Sequence, residues 1–497
     1  MHLLIPGTSV TGVNENKTFI VEEFLYENSS CEVYASGVNH NIRWLKNARF
    51  LQEQRKILEN LINCPKSAET HFLWPIDIVE SQDADGFGYI TPIGQNVNLG
   101  IADITSNKVP YSIILQAALH LVDAFRELHE MGLCFGGITF ESKFFNAVGK
   151  VFIEDVNHIF KSGSGLPYRL NPPFTAPEIV TKSADLSEAS DLHSLTVLLF
   201  LMLYRQFPLK QPSDYNSDEM FYGENPSFLF EDAQLAPDNI FWQNIYPRSL
   251  DDMFRLSFTT FLKEPTSRFD VKKWKMELIK LRDGLFFCPH CKSVNFAEPL
   301  PQNSSPVPSV SEETSVSKVQ NQFSVAETEI LTPKNREETL ALDIGMETSV
   351  SQTGDEKQIS NSEIVIPTPK IDIEIPAPTV PQSAVCWKCG MKDILPLRIE
   401  FRDGTVVQLA LGKKLYSYDV DSGDTCKPVA EVITNPTTGR MGLSNIGKMN
   451  WDTWKGNSLL SAINSVPPSS AITISQNLNI DFGVTIGQKG AKIGTIK

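Results

Sequence analysis

No apolar run among the 497 residues is long enough to cross a bilayer; the longest, Leu195 to Tyr204 (LTVLLFLMLY), suits a buried helix. No secretory leader is expected either. Positive charge is in short supply: 44 Lys and Arg against 59 Asp and Glu leave a net charge of -15. That balance argues against a general nucleic-acid or membrane-surface role, because both need a basic face. The eight cysteines lack the pattern of a disulfide framework. They include two C-x-x-C pairs, which read as metal ligands in a reducing compartment, so the expected location is the cytoplasm. Residues 299–383 contain no Trp, Tyr or Cys and are rich in Ser, Thr, Pro and Glu. Such a stretch buries too little apolar surface to fold and is expected to be a disordered acidic linker. Its Thr332-Pro333 and Thr368-Pro369 steps are ordinary features of such a linker and candidate phosphorylation sites. The length allows two or three domains.

What the chain does contain begins with alternating apolar and polar residues in TFIVEEFLYENSSCEVYASG, from Thr18, which predict a hairpin after a leader strand and turn over residues 1–18. WPIDIVES and GFGYITPI read as further strands. An apolar helix, ILQAALHLVDAFRELHEMG, should end at a Gly132 cap. A loop, Phe135 to Ser142, and a strand pair ending in Asp155 follow. Farther on stand Phe174-Thr175-Ala176-Pro177-Glu178, Ser190-Asp191-Leu192-His193-Ser194-Leu195 and Glu264-Pro265-Thr266-Ser267-Arg268.

In that order and spacing, these segments resemble the protein-kinase superfamily over residues 19–285. The resemblance implies a bilobal α+β fold. It also implies that Glu178 of the A-P-E segment pairs with Arg268, and that Asp191 opens the central helix of the second lobe. The catalytic residues are missing from the frame. Where the family's H-R-D-L-x-x-x-N loop supplies a base and a metal-binding Asn, this chain has Gly137 and Ser142. The three glycine positions of the phosphate-covering hairpin, set by Val33-Tyr34, fall on Tyr26, Asn28 and Cys31. Arg43, or else Lys46, occupies the neighbourhood of the phosphate-pairing lysine, with Glu53 or Glu59 as its partner carboxylate. Asp155-Val156-Asn157 stands at D-F-G, so Asp155 is either a magnesium ligand or a strand-end carboxylate capping a turn. Arg43, Lys46 and Asp155 are therefore the candidates for contacting ATP and Mg²⁺.

Cys288-Pro289-His290-Cys291 and Cys386-Trp387-Lys388-Cys389 supply four thiolates, the ligand set of a structural zinc ribbon, in knuckles over residues 286–298 and 384–394. Loop-closure entropy grows only logarithmically with length, so one ion can join them across the linker. Two half-sites completed by another molecule, or metal-free thiols, are the alternatives. From residue 395 to 497 the periodicity is that of short β-strands, LRIEFRDGTVVQLALG reading as a hairpin, and predicts a β-sandwich. Arg440 and Ser444 in GRMGLSN give it a faint resemblance to the phosphothreonine-binding forkhead-associated domain; a β-domain that binds partners without reading phosphate is the alternative. The whole order is similar to a bacterial kinase-like family whose members tend to work beside a von Willebrand A-type protein and a PP2C-type phosphatase. Three readings follow. The first is a pseudokinase scaffold that binds protein partners, with impaired nucleotide binding. The second is an atypical serine/threonine kinase using ATP and Mg²⁺, and the third an acidic adaptor acting through its linker.

Overall fold

Alternation between Ser9 and Pro92 builds the first layer. In a computed structural model the chain forms β1 (Ser9–Gly12), β2 (Thr18–Ile20), β3 (Glu23–Glu27), β4 (Cys31–Ser36), β5 (His40–Leu45), β6 (Asp77–Glu80) and β7 (Gly88–Pro92). These join in one antiparallel sheet of order β2-β1-β6-β7-β5-β4-β3. The structure describes residues 2–27, 31–46, 51–64, 66, 70–94, 97–136, 143–154, 156–164, 174–208, 245–297, 385–421, 423–456, 464–483 and 493–497. Residues 1–302 and 380–497 belong to one compact unit and residues 303–379 to a second. The expected disordered linker, and the positions Asn28, Gly137, Ser142 and Asp155, lie outside the described residues.

The leader strand is an integral part of the sheet: β1 pairs with β2 and with β6, and the buried Asp77 carboxylate accepts from the backbone N–H groups of Asn14 and Glu15 at 3.1 and 3.2 Å. Thr18–Ile20 closes this first hairpin, and Glu23–Glu27 forms the next one with Cys31–Ser36. Alternation alone marks a strand but does not say which neighbour it pairs with.

Helix α1 (Leu51–Asn63) turns Leu58 and Leu61 into the core. After α2 (Ile101–Thr105), the long α3 (Tyr111–Glu130) buries most of its length and stops before Gly132, whose φ of +68° favours glycine. Short strands β8 (Leu99–Gly100) with β10 (Lys143–Phe145), and β9 (Leu133–Phe135) with β11 (Ile159–Lys161), frame the loop that follows. Helices α4 (Pro177–Val180), α5 (Glu188–Tyr204), α6 (Arg248–Ser257), α7 (Thr260–Lys263) and α8 (Val271–Gly284) complete the helical layer. The apolar run singled out in the sequence is α5: it is buried nearly all round, starts on a Ser187 cap and ends at Arg205 in the left-handed region. A helix without a polar face must sit inside a core, and Leu195 to Tyr204 does.

The hairpin β12 (Leu285–Phe287) and β13 (Val294–Phe296) follows α8 directly. The C-terminal residues then form two antiparallel sheets. One has the order β15-β14-β23-β22-β19-β20, made from β14 (Arg398–Phe401), β15 (Val406–Gln408), β19 (Trp451–Lys455), β20 (Asn464–Val466), β22 (Leu478–Asp481) and β23 (Ile493–Ile496). The other has the order β16-β17-β18-β21, from β16 (Lys414–Tyr416), β17 (Pro428–Thr434), β18 (Met441–Asn445) and β21 (Ala471–Thr473), with a short helix α9 (Ser417–Asp421). Ile399, Val407, Leu415, Val432, Leu443 and Ile480, drawn from both sheets, share one fully buried cluster.

Candidate functional site

Strand β5 carries Arg43 into the interior, where its side chain has no exposure to solvent. A buried guanidinium needs a counter-charge, because leaving one unpaired costs several kcal/mol. Arg43 finds it in Glu154: Nη2 lies 2.5 Å from Oε2. The hydroxyl of Tyr26 donates to the same carboxylate oxygen at 2.6 Å and accepts from Arg43 Nη2 at 3.2 Å. Burial pulls the guanidinium pKa down, but the neighbouring Tyr26 and Glu154 more than reverse this, so it stays charged. Of the two α1 carboxylates expected beside it, Glu59 alone has a described side chain. Glu59 pairs with Arg55 on its own helix face, the Glu53 side chain is outside the described residues, and Lys46 reaches Glu27 at 2.6 Å near the surface.

Tyr26 stands on β3 at the first of the three expected glycine positions. A phenol there, bonded across to Glu154, fills space that a bare backbone would leave for phosphate oxygens. One residue beyond the D-F-G aspartate position, Val156 is fully buried, and the Asn157 amide oxygen accepts from the Tyr89 hydroxyl of β7 at 3.1 Å. Glu154 and Asn157 thus tie the segment after β10 to three strands of the first sheet. A triphosphate entering beside Arg43 would have to displace Glu154 from it or sit against that carboxylate, and like charges at such a distance repel.

The helical layer holds its expected residues in defined contacts. Arg268 forms a two-pronged pair with Glu178 at 2.6 and 2.9 Å and also donates to the backbone oxygens of Ala189 and Phe261. The Asp191 carboxylate accepts from the Phe135 N–H at 2.8 Å and lies 3.1 Å from His129 Nε2. Burial pushes its pKa up to about 6, against the pull of these partners. Asp191 so fixes the start of the loop in which Gly137 and Ser142 stand, although those two lie outside the described residues.

The second cluster is made of sulfur. Cys288, Cys291, Cys386 and Cys389 have all their Sγ atoms within 4.8 Å of one another. Cys288 lies 3.7 Å from Cys389, and Cys291 lies 3.5 Å from Cys386. Four thiolates bound at about 2.3 Å around a tetrahedral ion stand about 3.8 Å apart, so the spacing fits one shared ion and is far too long for a disulfide. The two knuckles repeat one backbone design. The N–H groups of Cys288 and Cys386 donate to the oxygens of Ser293 and Met391, each five residues on. Lys292 and Gly390, each four residues after the first Cys, take positive φ of 60° and 69°. Trp387 Nε1 donates to the Val294 oxygen at 2.6 Å, pinning the second knuckle on β13. Burial raises the Cys386 thiol, but the Ser293 hydroxyl and the N–H groups of Cys389 and Lys388 outweigh it and hold the pKa down to about 5. A thiolate held in this way is the form a metal ion binds. Zinc suits the donor set best, as four soft thiolates in tetrahedral array select it.

Arg440 lies in the exposed turn between β17 and β18, and Ser444 lies inside β18, paired with Glu431 and Ala471. Neither of these C-terminal residues belongs to the clusters above. Among the described residues, no helix is long and apolar enough to cross a membrane.

No family model matches the chain, and no curated protein does. Among solved structures, one described as the structure of vaccinia related kinase 3 is similar at 18% identity, covering 42% of this chain and 71% of that chain with a TM-score of 0.32.

Proposed function

We propose that this chain is a pseudokinase: a protein-kinase-like fold retained as a scaffold for protein partners, with phosphoryl transfer given up. The observation that carries the reading is the Tyr26–Arg43–Glu154 cluster. The cation that should meet ATP phosphates is buried and already neutralised by the protein's own carboxylate, and a phenol stands in place of a glycine. Phosphoryl transfer rests on positioned charge around the triphosphate, and here that charge is spent internally. The sequence supports the same reading independently, with Gly137 and Ser142 at the base and metal-binding Asn positions.

The structural contacts of the fold survive beside this loss. Glu178–Arg268 and Asp191 anchor the helical layer, and the cysteine cluster joins it to the C-terminal sheets. A scaffold needs rigidity of this kind and does not need an open cleft. The expected partners are those implied by the domain order, a von Willebrand A-type protein and a PP2C-type phosphatase, met in the cytoplasm.

Incubating the purified full chain with radiolabelled ATP and Mg²⁺ or Mn²⁺ tests the claim. No label should enter the chain or a generic protein substrate above the level seen with an Asp155→Ala control. Incorporation that disappears in Asp155→Ala would overturn the reading and make the chain an atypical kinase.

A further inference from the structure

The cysteines of the chain differ sharply in exposure. All eight lie among the described residues, and Cys389 alone is exposed. Cys31, Cys134, Cys288 and Cys386 are buried, and Cys64, Cys291 and Cys426 are half-buried. Oxidation follows thiolate character and access to solvent, so a water-borne oxidant meets Cys389 first. A thiol that coordinates a metal is deprotonated outright, and the thiolate is the nucleophilic form.

A resolving sulfur stands beside it. Cys288 Sγ lies 3.7 Å from Cys389 Sγ and comes from the other knuckle, 101 residues away in the chain. The second cross-knuckle pair, Cys291 and Cys386 at 3.5 Å, is less open. The Ser293 hydroxyl lies 3.0 Å from one of its sulfurs and 3.2 Å from the other, and the Asn295 amide donates to Cys386 at 3.8 Å.

We propose that Cys389 is a site of oxidative modification, at which a peroxide closes a disulfide to Cys288 and so dismantles the ligand set. The Cys389 thiolate attacks the O–O bond of hydrogen peroxide, keeps one oxygen as a sulfenic acid and releases hydroxide. The Cys288 thiolate then attacks that sulfur, the S–O bond breaks and a second hydroxide leaves. Two thiolates lose two electrons and the peroxide gains them. In the disulfide the two sulfurs stand about 2.0 Å apart, whereas two ligands of one tetrahedral ion stand about 3.8 Å apart, so Cys288 and Cys389 cannot serve both bonds. Cys291 and Cys386 are left as a two-sulfur remnant. The junction between the knuckles changes from a metal link to a covalent one, and a thiol reductant reverses the change. In a reducing compartment such a disulfide is transient, as redox-sensing ones are. The inference rests on the four sulfurs sharing one ion and is independent of the cleft at Arg43.

Treating the zinc-loaded full chain with hydrogen peroxide tests it, with three readouts. Released zinc is followed with a chromogenic chelator, sulfenic acid is trapped with dimedone, and disulfides are mapped by mass spectrometry without reduction. Dimedone should label Cys389 before any other cysteine. Without the trap, zinc release should run in step with a linked peptide pair carrying Cys288 and Cys389, and dithiothreitol with added zinc should restore the metal. Residues 385–397 should stay resistant to protease after oxidation, whereas chelation exposes them. Cys389→Asp keeps a metal-binding oxygen but no oxidisable sulfur, and should slow release at least about tenfold. If that variant holds no zinc, the labelling order in the parent chain decides alone. Elemental analysis before peroxide separates the two claims: a chain without zinc overturns the shared site and this inference with it. A loaded chain labelled first at another cysteine, or losing zinc without the Cys288–Cys389 link, overturns this inference alone.

Discussion

Cys386→Ser should abolish stoichiometric metal binding and unfasten the C-terminal sheets from α8. The full chain purified with zinc should hold one ion per chain by elemental analysis, and the variant much less than one. Apparent binding energies of structural four-ligand zinc sites in small peptides are about 10–16 kcal/mol, so losing one thiolate removes a large part of the stabilisation available here. The effect is structural in origin: Cys288 and Cys386 are buried with Phe286 and Ile394 in a cluster of their own at the junction. Without an ion, two pairs of thiols lying 3.5 and 3.7 Å apart have little to hold them together. A chelator should reproduce the variant in the parent chain, lowering its melting temperature and exposing residues 385–397 to protease. A parent chain that contains no metal, and whose melting is unchanged by chelation, would contradict this account of the junction.

Arg282→Ala should cost about 3–5 kcal/mol, the range expected when one member of a buried charge network is removed. Arg282 sits at the end of α8 and is the hub between helix and sheet. Its guanidinium meets Asp419 at 2.6 Å and Asp283 at 2.9 Å, donates to the Thr425 oxygen at 2.7 Å, and lies 4.2 Å from the centre of the Tyr416 ring. Asp419 is fully buried and also accepts from the Tyr416 N–H at 2.7 Å. Removing the arginine strands two carboxylates in a low-dielectric seam. Calorimetry should then resolve two unfolding transitions in the variant and one in the parent. Arg282→Lys should fail to rescue, because an ammonium cannot make the same planar set of contacts. Arg282→Met with Asp283→Asn and Asp419→Leu should recover much of the loss, since apolar or neutral replacement of a whole network is often close to neutral. A single transition at the parental temperature in Arg282→Ala would show that the seam does not depend on this residue.

The sequence reveals some of these features and conceals others, for reasons of distance along the chain. C-x-x-C pairs declare themselves because two ligands of each knuckle are three residues apart, and a chemistry that needs four thiolates joins the pairs. The all-apolar run at Leu195 to Tyr204 can only be a buried helix. A motif links Glu178 to Arg268, although 90 residues separate them. Arg43 shows the limit of that approach. Its frame position offers glutamates on α1 and gives no sign of Glu154, which pairs with it from 111 residues away. Nothing in the local pattern around Glu154 distinguishes it from a solvated strand-end acid. Arg282 and Asp419, 137 residues apart, are hidden in the same way, for a basic residue in the last turn of a helix is ordinarily a surface residue favoured by the helix dipole. The pairing of residues 9–12 with 18–20 is not legible in the sequence, because a strand of three or four residues carries too short an alternation to name its neighbour.

Thermal unfolding of the full chain with and without millimolar ATP and Mg²⁺ tests the proposed loss of phosphoryl transfer most directly. A ligand that binds only the folded state must stabilise it, by about 2.7 kcal/mol at a hundred times its Kd. With Arg43 held by Glu154 and Tyr26, the account predicts no Mg²⁺-dependent rise in the midpoint. A rise that requires Mg²⁺ and vanishes in Asp155→Ala would contradict it, and would mean that the cleft opens to nucleotide.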